Sequence, residues 1–531
     1  MVKTKIKNLL LFSIKELQKE KILPQFPLPS FEVGPTQSPE FGDYFTNICF
    51  PLSKILNLSP IKVGELLVGR LSQKNFFEKI EIKEPGFLNF FLSKKLLFKE
   101  LFQILIQGAK YGSFQIGRNK KVNLEFISAN PTGPLHIGNG RGAFFGDCLA
   151  KVLQKAGYLV EKEYFINDAK YNSQIKTLGR TALGKDKTYL TPYLEKKLKK
   201  LQRKLKKIIS EKEAGFLVAQ EIQKDIKKFI EKKLKIKFDN WISEEKLFRE
   251  GRIEKVLNYL KKQGLVFEKD KALWLRISKF GAPKDEVIVR SDGEPTYFLS
   301  DIAYHHYKFE RKFQKIINIW GADHQGHVPK IKAIAKIFNY KGELEILLSQ
   351  LVSLKGGAKL SKRKGKIITL ESLIDEVGQD VARFFYLQKS LQAPLEFDLD
   401  LAKSQSQKNP VFYIQYALVR IYSILRKNKT KLRNIKFSYL KELVNEKELR
   451  LIKSLIKFPE IVEECASDYQ LHRLTFYALE IAKNFHSFYD FCPVLKEKRE
   501  KKIARLALIL ATKTILEDTL RLMGISTPKK M

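Results

Sequence analysis

Cysteine is scarce in this chain, and the little there is cannot build a framework. Cys49, Cys148, Cys465 and Cys492 are the four cysteines in 531 residues, and no two form a CxxC pair. That excludes a disulfide-stapled scaffold and a zinc ribbon, and it matches a reducing compartment, so a cytoplasmic location is expected. Long apolar runs are missing too. None approaches the roughly 18 residues that a membrane-spanning helix requires. The opening stretch, MVKTKIKNLLLFSIKELQKEK, resembles a secretion leader only superficially. Its apolar block (Leu9 to Ile14) is short, contains Ser13, and runs into Lys15 and Glu16 without a small-residue cleavage site. The spacing of Leu9, Phe12 and Leu17 predicts an amphipathic helix instead. No internal repeat is visible.

Acidic residues are the other shortfall. Against 98 Lys and Arg there are 58 Asp and Glu, a formal net charge of +40. Such a field opposes compaction and attracts polyanions, which makes nucleic acid the leading partner class and an anionic membrane surface the second. A Lys-rich compositional bias is a further source of the surplus. The chain is 44% hydrophobic and 11% aromatic, enough for several cores, so wholesale disorder is excluded. Its length corresponds to roughly three to four domains.

Residues 1–112 read as a mixed α and β module, with a strand expected over 86–92 after the Pro85-Gly86 turn. A second strand, 121–128, opens a region where strands and helices alternate, which predicts a parallel sheet. Lysine is dense from about 185 to 285, read as an insertion. There Leu194, Leu198, Leu201 and Leu205 fall at helical spacing, so the stretch is either a solvated helix with a narrow apolar stripe or an RNA-touching arm. Strand-like runs return at Val287 to Arg290 and Ile316 to Trp320. From 402 onward the pattern is helical throughout, as in a bundle.

The chemistry concentrates in Ser128-Ala-Asn-Pro-Thr-Gly-Pro-Leu-His-Ile-Gly-Asn-Gly-Arg-Gly-Ala143. A glycine-rich turn from strand to helix aims unpaired backbone N–H groups and a positive dipole end at one spot, which suits phosphate. Gly138 and Gly140 would admit a ring or phosphate where a Cβ would block it, and His136 could donate to an anionic oxygen. Such glycines also occur simply to pack helix on strand. Far downstream, the glycines and lysines of Lys355-Gly-Gly-Ala-Lys-Leu-Ser-Lys-Arg-Lys-Gly-Lys366 are expected to make a loop that clamps phosphate charge. Asp323-His-Gln-Gly-His327 could pass for metal ligands, but no metal site is assigned to it.

HIGN at 136–139 and KLSK at 359–362, in that order, resemble the two signatures of class I aminoacyl-tRNA synthetases. Finer matches are similar to the arginyl-tRNA synthetase family. They include Glu125-Phe-Ile-Ser-Ala-Asn-Pro-Thr-Gly-Pro134, Gly321-Ala-Asp-His-Gln-Gly-His327, Phe397-Asp-Leu-Asp400 and Asn409-Pro-Val-Phe-Tyr-Ile-Gln-Tyr416. Phe485-His-Ser-Phe-Tyr489, Phe41-Gly-Asp-Tyr-Phe-Thr-Asn47 and the terminal Leu522 to Met531 extend the likeness over nearly the whole chain. Two departures stand out: Asn139 where many class I enzymes have a second histidine, and Leu360 where methionine is commoner. Lys362 is present, although many arginine enzymes lack it.

The resemblance implies a multidomain α/β protein: an N-terminal tRNA D-loop-recognition domain (1–112), a Rossmann-type catalytic domain (113–401) and an all-α anticodon-binding bundle (402–531). It implies that His136, Asn139, Lys359 and Lys362 serve catalysis, and that Pro131, Gly133, Gly138, Gly140, Leu360 and Ser361 join them around ATP. A guanidinium offers five donors and cannot be neutralised, so its pocket needs carboxylates. By resemblance these are Glu125 and Asp301, with Tyr297 on the same helical face. Ser128 and Asn130 are expected at the amino-acid backbone, and Asp323 and His324 nearby. Phe87 and Asn89 are expected to meet a D-loop base. Tyr413, Tyr416 and Arg420 are expected at the anticodon loop, and Met531 also at the tRNA. The implied substrates are L-arginine, ATP with Mg2+, and tRNA(Arg). A monomer without membrane association is expected.

Overall fold

The computed structural model describes residues 1–71, 75–356, 368–428 and 435–530. Lys359, Leu360, Ser361, Lys362 and Met531 lie outside the described residues.

The chain begins with a helix, Val2–Lys19, whose buried face is Val2, Ile6, Leu10, Ile14 and Leu17. Phe12 departs from the expected stripe: it is 49% exposed, because the true stripe advances by fours and threes from Val2 rather than from Leu9. A four-stranded antiparallel sheet follows, in the order Val33–Pro35, Tyr44–Thr46, Phe87–Leu92, Phe77–Lys83. Gly42 and Gly86 occupy positive φ at its turns. The helices Cys49–Leu56 and Pro60–Leu71 complete this unit.

At the centre is a five-stranded parallel sheet. Its spatial order is Glu343–Ser349, Lys315–Gly321, Lys121–Glu125, Leu159–Ile166, Asn240–Ser243. Strand order reverses between Lys121–Glu125 and Lys315–Gly321. In such sheets ligands settle at that switch point, beyond the carboxyl ends of the strands. The central strands carry runs such as Val122, Leu124, Ile316, Ile317 and Ile319, all buried, as a sheet covered on both faces requires.

The Lys-dense stretch is not simply an appendage. It holds two long helices, Pro192–Leu205 and Glu211–Lys232, but also Asn240–Ser243, the edge strand of the main sheet. Leu194, Leu201 and Leu205 form the buried stripe, with lysines outward. The helices Ser173–Ala182 and Glu211–Lys232 cross closely at Gly179 and Gly215. A Cβ on Gly179 would come within 1.8 Å of the Glu211 carbonyl oxygen. The 287–290 run is also not part of the parallel sheet. Glu286–Val289 pairs antiparallel with Ala272–Leu275 in a separate three-stranded sheet.

Beyond 402 the described chain is helical, with principal helices Pro410–Lys427, Glu446–Ile456, Phe458–Asp468, His472–Phe491 and Arg499–Met523. This bundle packs directly on the helix Ile137–Lys155, where Lys155 Nζ meets Asp518 at 3.0 Å. It also holds the N-terminal unit: Tyr44 OH donates to Glu460 at 2.9 Å.

Candidate active site

Helix Ile137–Lys155 starts at His136, which sits in extended backbone as its N-cap. The Gly138 N–H donates to His136 Nδ1 at 3.1 Å, and the His136 N–H donates to Asn139 Oδ1 at 2.9 Å. This reciprocal arrangement is a capping box. Because Nδ1 accepts, a neutral ring carries its proton on Nε2, which is left to donate. Partial desolvation lowers the His136 pKa, which favours that neutral form although the residue opens to solvent. A Cβ on Gly138 would press on the folded-back imidazole at 2.8 Å.

Gly140 has a different reason to be glycine from the one expected. It is buried, and a Cβ there would meet Tyr386 at 2.8 Å and Leu370 at 2.9 Å. It packs helix against protein rather than admitting phosphate. Gly133 does fit close approach, since nothing lies within 4 Å of its would-be Cβ. Pro131 is buried beside it. The chain resuming at Ile368 is stitched to this turn. Ile137 N–H donates to the Ile368 carbonyl at 3.2 Å, and Leu370 N–H to that of Leu135 at 2.8 Å. The described chain that resumes at Ile368 therefore adjoins the turn at His136.

At the carboxyl ends of the strands lies an acidic pocket. Glu125 ends its strand, 3% exposed, and Glu244, 2% exposed, begins the short helix after the edge strand. Asp301 lies in helix Tyr297–Glu310, one turn beyond Tyr297. Asp301 is half-buried and keeps some contact with solvent. Among the described residues its carboxylate makes no hydrogen bond or ion pair. Burial first, then Glu244 and Glu125, push its pKa up to about 8. Burial likewise lifts Glu244 to about 7, despite hydrogen bonds from Ser300 and Asn172. A desolvated carboxylate with no hydrogen-bonded or ion-paired partner, as at Asp301, suits a site that awaits a cation.

Polar side chains close a ring around them. Tyr297, 38% exposed, donates its hydroxyl to Asn172 Oδ1 at 3.0 Å and accepts from the Ser173 N–H at 2.8 Å. Asn172 Nδ2 reaches Glu244 at 3.5 Å, and Tyr171 OH meets Ser300 Oγ at 2.5 Å. Sequence reasoning missed Glu244 and Asn172, which lie in or beside the stretch set aside as an insertion. Ser128 also differs from expectation. Its hydroxyl donates to Glu125 Oε1 at 2.9 Å and accepts from the Phe165 N–H at 3.1 Å, so it braces the carboxylate. Ile127 and Ser128 sit at φ +71° and +38°, a conformation side chains resist and functional turns retain. Asn130 is exposed at the same turn.

Asp323 and His324 make no hydrogen bond or ion pair with this cluster among the described residues. They are exposed on the turn after Lys315–Gly321, 3.7 Å from one another. Among the described residues no group of three or more His, Cys, Asp or Glu is arranged to hold a metal ion. In the N-terminal sheet Phe87 packs edge-on against Phe50, centroids 5.0 Å apart, and Asn89 is largely buried two residues along. In the bundle, Tyr413 and Tyr416 pack on His486, and Arg420 donates to Tyr416 OH at 2.7 Å. The guanidinium of Arg420 also covers the Tyr489 ring at 4.5 Å, so His486 and Tyr489 complete a half-buried aromatic patch.

Three family models match the chain. They describe an arginyl-tRNA synthetase N-terminal domain (4–92), a class I tRNA synthetase (R) catalytic domain (100–389) and a DALR anticodon-binding domain (414–531). An arginine–tRNA ligase of Caldanaerobacter subterraneus is 40% identical over 100% of this chain and 99% of its own. Another, from Dehalococcoides mccartyi, is 39% identical over 99% of both. The arginyl-tRNA synthetase structure of Thermus thermophilus superposes with a TM-score of 0.79 at 22% identity, covering 100% of each chain.

Proposed function

Since the chain belongs to the arginyl-tRNA synthetase family, we propose the following division of labour within the reaction it catalyses, the ATP-dependent joining of arginine to tRNA(Arg). Arginine enters with its guanidinium toward Asp301 and Glu125, Glu244 behind them and Tyr297 at the rim. Its carboxylate oxygen attacks the α-phosphate of ATP in line, and pyrophosphate leaves. The 2′-hydroxyl of the tRNA's terminal adenosine then attacks the adenylate carbonyl, and AMP departs. No enzyme nucleophile is needed, so the protein contributes positioning and charge stabilisation.

His136 Nε2–H and the first-turn N–H groups are suited to the phosphates, and Lys359 and Lys362 to the charge that develops as pyrophosphate leaves. Asn139 keeps an amide N–H₂ free of the capping box for a phosphate or ribose oxygen. Gly133 and Pro131 leave room for the nucleotide, and Asp323, His324 and Asn130 flank the arginine backbone. Mg2+ carried by ATP would supply neutralisation of its phosphates. The protein's own carboxylates supply no cage for it among the described residues. The tRNA is read at two places, Phe87 with Asn89 and Tyr413 with Tyr416 and Arg420. The enzyme acts in the cytoplasm as a monomer. No described helix is long and apolar enough to cross a membrane.

The observation that carries the pocket assignment is the unpaired Asp301 carboxylate beside Glu125 and Glu244. Pyrophosphate exchange tests it. Exchange should require arginine, rise on addition of tRNA, and reject citrulline. Exchange with lysine or citrulline within tenfold of arginine would overturn the assignment.

A further inference from the structure

Glu125 does not face the pocket as a bare carboxylate. While Oε1 takes the Ser128 hydroxyl, Oε2 accepts from Lys308 Nζ at 2.5 Å. Lys308 lies on the same helix as Asp301 and is wholly buried, at 0% exposure. Lysine is almost never buried so fully unless it is paired. Its ammonium also donates to Asn318 Oδ1 at 2.8 Å and lies 4.4 Å from the centre of the Tyr304 ring.

The arrangement is locked from behind. Asn318 and Glu125 are register partners on adjacent parallel strands, so two strand ends converge on one ammonium. Asn318 Nδ2 donates to His305 Nε2 at 2.9 Å, and His305 Nδ1–H donates to the Asp301 carbonyl at 2.8 Å. Each bond fixes the next: the histidine tautomer sets the amide orientation, and the amide turns its oxygen to Lys308.

We propose that Lys308 is a specificity-determining positioning residue of the arginine site, holding Glu125 in place and cancelling its charge. Three carboxylates would otherwise share one pocket. With Glu125 matched internally, the pocket presents its remaining negative charge, Asp301 foremost, to a single planar cation. Unmatched, Glu125 would offer a second charge to compact ammonium groups and lose its fixed geometry. The inference rests on reading this pocket as the arginine site.

The test compares Lys308→Met, Glu125→Gln and the double variant in the full-length enzyme with tRNA present. Removing one partner of a buried pair leaves a naked charge, whereas neutralising both does not. Lys308→Met should raise the arginine KM by about tenfold or more, with kcat at saturating arginine within about threefold and the ATP KM within about twofold. The discrimination against lysine should narrow. The double variant should bind arginine better and melt higher than either single variant, without reaching wild type because Glu125 itself faces the guanidinium; a purely space-filling lysine would show no such coupling. If Lys308→Met does not fold, the double variant should still outperform Glu125→Gln. An arginine KM within twofold of wild type in Lys308→Met, or a double variant no better than either single one, would overturn the proposal. Asp301→Asn serves as the control: if it too leaves the arginine KM unchanged, the pocket reading fails rather than the role of Lys308.

Discussion

Asp301 sets a pH dependence whose sign and size can be worked out. Its carboxyl is pushed up to about 8, chiefly by burial, then by Glu244 and Glu125, and only partly relieved by Lys308 and Lys330. In free enzyme at pH 7, about a tenth of the molecules carry it ionised, and at pH 9 about nine-tenths. The guanidinium needs the ionised form, so apparent affinity scales with that fraction. The arginine KM should therefore fall by about tenfold from pH 7 to pH 9, while the ATP KM hardly moves. Binding at pH 7 should release about 0.9 proton per arginine, shared with Glu244 because neighbouring carboxyls titrate as a pair. Calorimetry in two buffers of different ionisation enthalpy reads that number directly.

The same residue should trade stability for function. A carboxyl with a raised folded-state pKa costs nothing below about pH 4, where folded and unfolded chains both hold the proton. Between about pH 4 and 8 only the unfolded chain ionises, so this group lowers stability as pH rises. Asp301→Asn should thus melt with wild type near pH 4 and above it at pH 8. Its arginine kcat/KM should drop on the order of 10²–10³, the scale of breaking a buried charge pair. A flat arginine KM between pH 7 and 9, together with an Asp301→Asn variant that melts below wild type at pH 8, would refute the reasoning.

Three other expectations follow from the site. His136→Ala and Lys362→Ala should each slow adenylate formation by about 10²–10³ with tRNA affinity nearly unchanged, if both groups meet charge that develops during reaction as proposed; filter binding alongside pyrophosphate exchange separates the two effects. Citrulline keeps arginine's shape but leaves the carboxylates unpaired, so wild type should prefer arginine by about 10⁴–10⁵, and Asp301→Asn should narrow that gap in the same assay. Tyr416→Ala removes one ring of the His486–Tyr489 patch. At about 1–3 kcal/mol per stacked base it should raise the tRNA KM by roughly 5–150-fold at fixed salt. An unfolded bundle, or unchanged charging, would count against the anticodon role.

What could be read from the sequence was what the chain keeps contiguous. Strand, glycine turn and helix follow one another from Lys121 to Lys155, so the helix start capped by His136 was visible in order along the chain. Helical spacing placed Tyr297 with Asp301, and Tyr413, Tyr416 and Arg420, on common faces. What could not be read depends on partners brought by the sheet. Glu244 enters the pocket only because Asn240–Ser243 pairs with Leu159–Ile166, and nothing within the Lys-dense stretch announces an edge strand. Gly140 and Gly133 look alike in sequence, and only the positions of Tyr386 and Leu370 separate the packing glycine from the open one. Ser128 looked like a substrate ligand until the Phe165 N–H and Glu125 claimed its hydroxyl.

Net charge was the least local of these signals, and it conceals the site it serves. A chain of +40 draws in a polyanion over long range, where salt screens the field and sequence is not read. The same field repels free arginine, itself a cation, from most of the surface. On the proposed reading, arginine is accepted where the ionised Asp301 carboxylate reverses the sign locally, beside Glu244 and the Lys308-matched Glu125, at a desolvated position that salt screens poorly. Burying the reversal is therefore what lets one protein attract a polyanion and a small cation at once. It also explains why added salt should weaken tRNA binding far more than arginine binding. A titration of both constants between about 50 and 200 mM salt measures the difference, and equal salt slopes would show that the pocket is not shielded in this way.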